Sequence, residues 1–82
     1  MLNKRTEYLF LVLLSALEAI FLSDLAEKLG YSRRDKFKEM YIDPLMKDGL
    51  LVYTIPDKPT SSNQKYITTE KGRLFLGGFD IV

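Results

Sequence analysis

Between Ser32 and Lys65 the chain passes from helix-forming to strand-forming residues across one glycine, and that switch narrows the folds open to it. The first part, SRRDKFKEMYIDPLMKDG, puts Phe37, Tyr41 and Leu45 at i, i+4 and i+8, so one face of a helix is apolar. Ser32 suits an N-cap because its hydroxyl accepts from a backbone N–H two or three residues on, and Asp35 stands where a capping-box acid would. Pro44 lacks an N–H and crowds the preceding turn, so a kink is expected there, or a fresh turn with Asp43 as cap. On a straight helix Ile42 and Met46 fall opposite the apolar face. Either Pro44 turns them inward or they form a partner surface. Asp48-Gly49 ends the helix, since glycine adopts the left-handed closing conformation at little cost.

The second part begins with Leu50 to Ile55, rich in β-formers and long enough for one strand. Pro56, Pro59, Thr60, Ser61, Ser62 and Asn63 make a turn-prone tip, and Lys65 to Thr68 reads as the returning strand. A helix with a basic start and a hairpin with a polar tip are thus neighbours in the chain.

Upstream, Met1 to Thr6 is polar and basic, and Tyr8 to Leu22 (YLFLVLLSALEAIFL) is strongly apolar. Such a start can imitate a secretory signal or a membrane span, but the run is shorter than the roughly 20 residues a span needs. Glu7 and Glu18 bracket and interrupt it, and no small-x-small cleavage site comes after it. A buried helix, apolar nearly all round, is the expectation, with any uncovered stripe a candidate dimer contact. Ser23-Asp24 then signals a short helix with Leu25, Ala26 and Leu29 facing inward, stopped at Gly30. Helix, glycine turn, helix is helix-turn-helix spacing, with Ala26 small enough for close approach.

Downstream, Thr68 or Thr69 caps a last helix, with Glu70 at its positive end and Leu74, Phe75 and Leu76 giving an apolar side. Gly77-Gly78 is expected to end it, leaving Phe79 to Val82 as an apolar tail. The 82 residues suit a single domain over 1–82 with one modest core. The chain has no Cys and no His, so it lacks thiolate ligands, the commonest zinc ligand and the commonest general base. No enzyme activity, metal or cofactor is therefore expected, and no small-molecule substrate is evident. The net charge of +1 conceals an uneven distribution. Residues 1–30 carry Lys4, Arg5 and Lys28 against Glu7, Glu18, Asp24 and Glu27, whereas residues 31–66 carry seven cations against five acids.

The order helix, short helix, glycine turn, basic helix, strand, polar loop, strand makes the chain similar to an α+β winged helix-turn-helix: three helices, a two-stranded hairpin wing and a short C-terminal helix. More narrowly, residues 30–72 resemble the winged-helix domains at the C-terminus of Fic-family proteins and of bacterial regulators with Schlafen-like or RecG-related domains. The elements that carry the resemblance are Ser32-Arg33, Phe37, Tyr41-Ile42, Pro44-Leu45, Gly49 to Leu51, Pro56, Lys58-Pro59, Ser61, Gln64, Tyr66 and Thr68 to Gly72. A Fic-type catalytic loop needs a His and is absent, so adenylylating activity would belong to a different domain.

The resemblance implies a bacterial, cytoplasmic module that binds double-stranded DNA in transcription regulation, with its third helix in the major groove and its wing on the backbone. Arg33, Arg34, Lys36 and Lys38 are the candidate contacts on the helix: arginine pairs bidentately with guanine, and lysine meets phosphate as a point charge. Ser32 can donate to a phosphate. In the wing, Lys58, Ser61, Ser62, Asn63, Gln64 and Lys65 offer donors without apolar bulk. Gln64 and Tyr66 can equally fix the wing itself. A homodimer through the first helix would add contacts. The alternative is a protein-interaction or dimerisation domain that keeps the fold without binding DNA, docking through its first helix or the Ile42/Met46 region.

Overall fold

The computed structural model describes residues 3–80, and of Phe79 and Asp80 the backbone alone. Helix α1 (Lys4–Ser15) is capped by Asn3, whose side chain accepts from the Thr6 N–H at 2.8 Å. Helix α2 (Leu22–Lys28) comes after a turn. Helix α3 (Arg34–Phe37), a π turn (Lys38–Ile42) and α4 (Asp43–Lys47) then run on without a break, because the joining residues all keep right-handed helical angles. Strands β1 (Leu51–Tyr53) and β2 (Tyr66–Thr68) pair antiparallel, Leu51 opposite Thr68 and Tyr53 opposite Tyr66. Helix α5 (Glu70–Asp80) closes the fold.

The apolar run does not form one helix. It is helical only to Ser15, and Ile20 instead exchanges backbone hydrogen bonds with Tyr66 (3.0 and 2.8 Å). The cause is the hairpin. Thr68 donates its N–H to Ala16 O (2.8 Å) and its hydroxyl to Leu13 O (2.7 Å), taking carbonyls that would have continued α1. Nor is α1 buried all round: Val12, Leu13 and Ala16 face the core, while Leu11 and Leu14 are exposed.

Three start and stop signals also shift. Helix α2 begins at Leu22 with Phe21 as N-cap, so Ser23 lies inside its first turn. Ser32 is not a cap either. The N-cap of α3 is Arg33, without a side-chain cap bond, and Asp35 pairs with the Arg33 guanidinium. Gly77 and Gly78 do not end α5, since neither adopts the positive φ that a glycine stop uses, whereas Gly30 (φ 80°) and Gly49 (φ 75°) do. The tail residues Ile81 and Val82 lie outside the described residues.

Pro44 is absorbed by a widened turn: Asp43 is itself helical and Ile42, not Asp43, stands before α4, so the expected fresh turn capped by Asp43 does not form. The π turn precedes it, and α4 begins at Asp43 with Pro44 in its first turn. Met40 O, the carbonyl that an N–H at position 44 would bond in an α-helix, accepts instead from Arg5 at 3.3 Å. The wider turn rotates the residues beyond it, so Ile42 is fully buried with Phe37, Tyr41 and Leu45, and Met46 packs on the core. The Ile42/Met46 region is therefore interior, not a partner surface.

Leu25 and Ala26 of α2, Leu50, Leu51, Tyr66 and Leu76 complete the core. Tyr8, Tyr31, Phe37 and Tyr41 form an aromatic cluster beside it, in which the Tyr31 and Tyr41 hydroxyls lie 2.6 Å apart. Burial, then the Tyr31 hydroxyl, pushes the Tyr41 phenol up to about 12.

Thr69 caps α5, accepting from the Gly72 N–H (3.0 Å) and donating to Gly49 O (2.7 Å). Gly72 is needed for space: a Cβ there would lie 2.5 Å from Leu50 O and from Thr68 Cγ2. Gly72→Ala is expected to cost about 1–3 kcal/mol in urea denaturation through this overpacking. Gly77→Ala, whose Cβ meets nothing within 4 Å, should stabilise by about 0.5–1 kcal/mol. Equal effects would contradict the packing described.

Candidate functional site

Two antiparallel strands and the α3 rod, the continuous helical run from α3 through the π turn to α4, place the polar hairpin tip beside the start of α2. Together they enclose an open groove of about 300 Å³, lined by Phe21, Leu22 and Ser23, by Arg34 and Lys38, and by Pro59 to Ser62 with Gln64 and Tyr66 behind them. Arg34 and Lys38 are four residues apart, so both project from one helix face. A second depression of about 520 Å³ lies between α2 and the start of α3, lined by Ser23, Ala26, Glu27, Gly30, Tyr31, Ser32 and Arg34. Arg34 borders both.

Of the residues singled out in the sequence, Arg34, Lys38, Ser61, Ser62 and Gln64 converge on the first groove and Ser32 borders the second. Arg34 and Lys36 are exposed, and among the described residues their side chains make no hydrogen bond or ion pair. Arg33 is held by Asp35 at 2.8 Å on an exposed surface. Hydrogen bonding to Arg33 lowers the Asp35 pKa and raises that of Arg33, so the pair stays charged. Lys38 donates to Asp43 Oδ1 at 2.8 Å, and that bond raises its pKa, keeping its charge at neutral pH.

In the wing, Lys58 and Asn63 are exposed and away from the groove lining, while Ser61 Oγ accepts from the Asn63 N–H at 3.1 Å. Lys65 lies over the Phe21 ring, 4.9 Å from its centroid, which ties the returning strand to the start of α2. Gln64 is buried. Its carbonyl accepts from the Ile55 N–H (2.8 Å) and its amide donates to Ile55 O (2.6 Å) and Lys58 O (3.0 Å). It holds the wing from inside, with both ends of its amide already occupied.

Ser23 and Thr60 complete the groove's hydroxyl lining, and their sequence positions alone do not place them there. Ser23 resembles a helix cap and Thr60 a turn residue, so only the approach of the hairpin to α2 reveals them. Among the described residues no group of carboxylates comes together to hold a metal ion, and no helix is long and apolar enough to cross a membrane.

The architecture, a helix-turn-helix followed by a two-stranded wing and a closing helix, is that of a winged helix-turn-helix domain. A family model described as "Filamentation induced by cAMP protein Fic-like, C-terminal domain" matches residues 5–69, and the chain belongs to that family. The match reaches back across α1 and α2, well beyond the segment whose motifs suggest the family. The chain is also similar to a Fic family protein from Desulfovibrio desulfuricans G20, solved by crystallography: 31% identity, a TM-score of 0.68, and 88% of this chain aligned. It spans 22% of the length of that protein. No curated protein matches the chain.

Replacing Gln64 with Leu removes three hydrogen bonds from a buried site and leaves the Ile55 N–H without its acceptor. Hydrogen exchange at Ile55 should speed up about tenfold or more, while the amides of Val12 and Leu13 keep their protection. Unchanged exchange at Ile55 would mean that backbone turns alone hold the wing.

Proposed function

We propose that this domain binds double-stranded DNA as a regulatory module, with the first turns of the α3 rod in the major groove and the wing against the adjacent backbone. The observation that carries the reading is the groove in which Arg34 and Lys38 face the hydroxyls of Ser23, Thr60, Ser61 and Ser62. Two cations and four hydroxyls make a cluster of donors of the kind that phosphate oxygens accept from. The wing tip carries no large apolar side chain that would intercalate, which suits backbone contact.

The roles then divide by what each residue is already bonded to. Arg34 and Lys36 are unpaired and reach outward, so they are the contacts with most to gain from DNA. Arg33 must first leave Asp35, and its contribution is correspondingly smaller. Lys38 keeps its charge but shares it with Asp43. Lys58 and Asn63 offer donors at the outer edge of the wing. Gln64 and Lys65 act through the wing's position rather than by touching DNA.

The test is fluorescence anisotropy with a labelled mixed-sequence duplex. Micromolar binding is expected at low salt, with log K falling against log salt at a slope of roughly −3 to −5, as for a few phosphates neutralised. Arg34→Ala with Lys38→Ala should weaken binding by about tenfold or more and flatten that slope, whereas Arg33→Ala changes it by less than about threefold. Absence of binding at low salt would overturn the proposal.

Affinity should also be flat, within about twofold, from roughly pH 6 to pH 9, because the chain has no His, the side chain that ordinarily titrates in that range. Lys38, with its pKa raised, stays protonated throughout, and Asp35, with its pKa lowered, stays ionised. A steep fall between pH 6 and 8 at constant salt would contradict this assignment of charges.

A further inference from the structure

Arg33 stands at the N-cap of α3 in an extended conformation (φ −101°, ψ 102°), and Asp35 is the second residue of the helix. Inside a helix, side chains two positions apart do not face each other. Because Arg33 is not yet helical, its side chain can turn to Asp35, and its Nη2 donates to Asp35 Oδ2 at 2.8 Å. The two side chains are 67% and 72% exposed, so the pair is fixed in direction without being covered. An ion pair this exposed adds little to stability. It does not cap the helix either, since Arg33 makes no side-chain cap bond.

What the pair does is hold a guanidinium still. Arg33 carries a planar fork of N–H donors, of which Asp35 takes one, and the rest of the fork stays open. A fork already held by a carboxylate has less freedom to lose when it meets a second acceptor. In the major groove the flat, paired acceptor is guanine, whose O6 and N7 stand side by side. We propose that Arg33, oriented by Asp35, reads a guanine: its open N–H groups donate to O6 and N7 while the bond to Asp35 stays made. The inference rests on the DNA reading above and adds to it the base that is recognised. To meet a phosphate, the guanidinium has to give up Asp35; to meet a base edge, it keeps it.

The position suits this role, because the first residues of a recognition helix are those that approach base edges. Arg33 and Asp35 line neither the groove beside the wing nor the depression between α2 and α3, so the phosphate donors and the base reader are separate sets of residues. The pairing also explains the acid. A carboxylate beside Arg33, Arg34 and Lys36 weakens a surface meant only for phosphate, whereas as the support of Arg33 it has a use. Asp35 is thus a positioning residue that acts through Arg33.

Selection from a randomised duplex library with the parent chain, followed by anisotropy on the selected duplex, tests the proposal. Exchanging one G·C pair for A·T should cost the parent about tenfold, and 7-deazaguanine at that position, which lacks N7, about threefold or more. Arg33→Ala should bind the original and exchanged duplexes within about twofold of each other, while its affinity for a mixed sequence stays within about threefold of the parent's. Arg33→Lys, which keeps the charge without the fork, should lose the preference in the same way. Asp35→Ala, at an exposed position, should cut the preference by about threefold or more with the circular dichroism of the parent unchanged. If Asp35 only repelled DNA or only shaped the helix, its removal would change both affinities alike and leave their ratio intact, which would overturn the assignment. Salt-dependent binding with no position at which Arg33→Ala removes a preference for guanine would overturn this inference and leave the DNA reading standing. No binding at low salt would overturn both.

Discussion

Strand β2 is bonded on both edges, and the rest of the molecule depends on that. On one side Tyr66 to Thr68 pair with β1; on the other, Tyr66 exchanges two hydrogen bonds with Ile20 and Thr68 holds the end of α1 through its N–H and hydroxyl. Three residues thereby join a hairpin, a turn and a helix that are up to 55 positions apart in the chain. An isolated hairpin of this length would be marginal in water. Here its inner strand is an interior strand, and the wing leaves the body at a fixed angle.

The groove is built on that anchor. The Ile20 to Tyr66 link brings the start of α2 under the hairpin, Lys65 over Phe21 holds it there, and Gln64 ties the far side of the loop to its own backbone. The α3 rod supplies the third wall. Its π turn does more than accommodate Pro44, because it turns Ile42 into the core and leaves the exposed cations concentrated in the first turns. Order in the wing thus arises from contacts made by buried groups, while the donors on its outer side remain available.

Much of this is legible in the residues themselves, and the reasons differ by element. The glycine at 49 and the β-formers after it mark the helix-to-strand switch because both signals are local. Phe37, Tyr41 and Leu45 mark the core face for the same reason, and the motifs of the hairpin suggest the family to which the chain belongs. The end of α1 is not legible. Nothing between Tyr8 and Leu22 shows that Thr68 will take the carbonyls of Leu13 and Ala16, since that bond belongs to tertiary structure. Gly77 and Gly78 mislead for the opposite reason: a glycine stops a helix only where the chain turns left-handed, and residues alone do not say where that is. In the candidate site, Arg34 and Lys38 are visible by spacing, whereas the pairing of Arg33 with Asp35, the burial of Gln64 and the presence of Ser23 and Thr60 depend on how the elements pack.

In the function proposed, one preformed face, made by the start of α2, the α3 rod and the wing tip, receives DNA. An amide chemical-shift titration with a short duplex tests it residue by residue. Shifts are expected to be confined to Ser23, Arg34 to Lys38 and Thr60 to Ser62, with Thr68 and the amides of α1 unmoved. Shifts gathered on Leu11, Leu14 and Leu74, or none at all at saturating duplex, would contradict it.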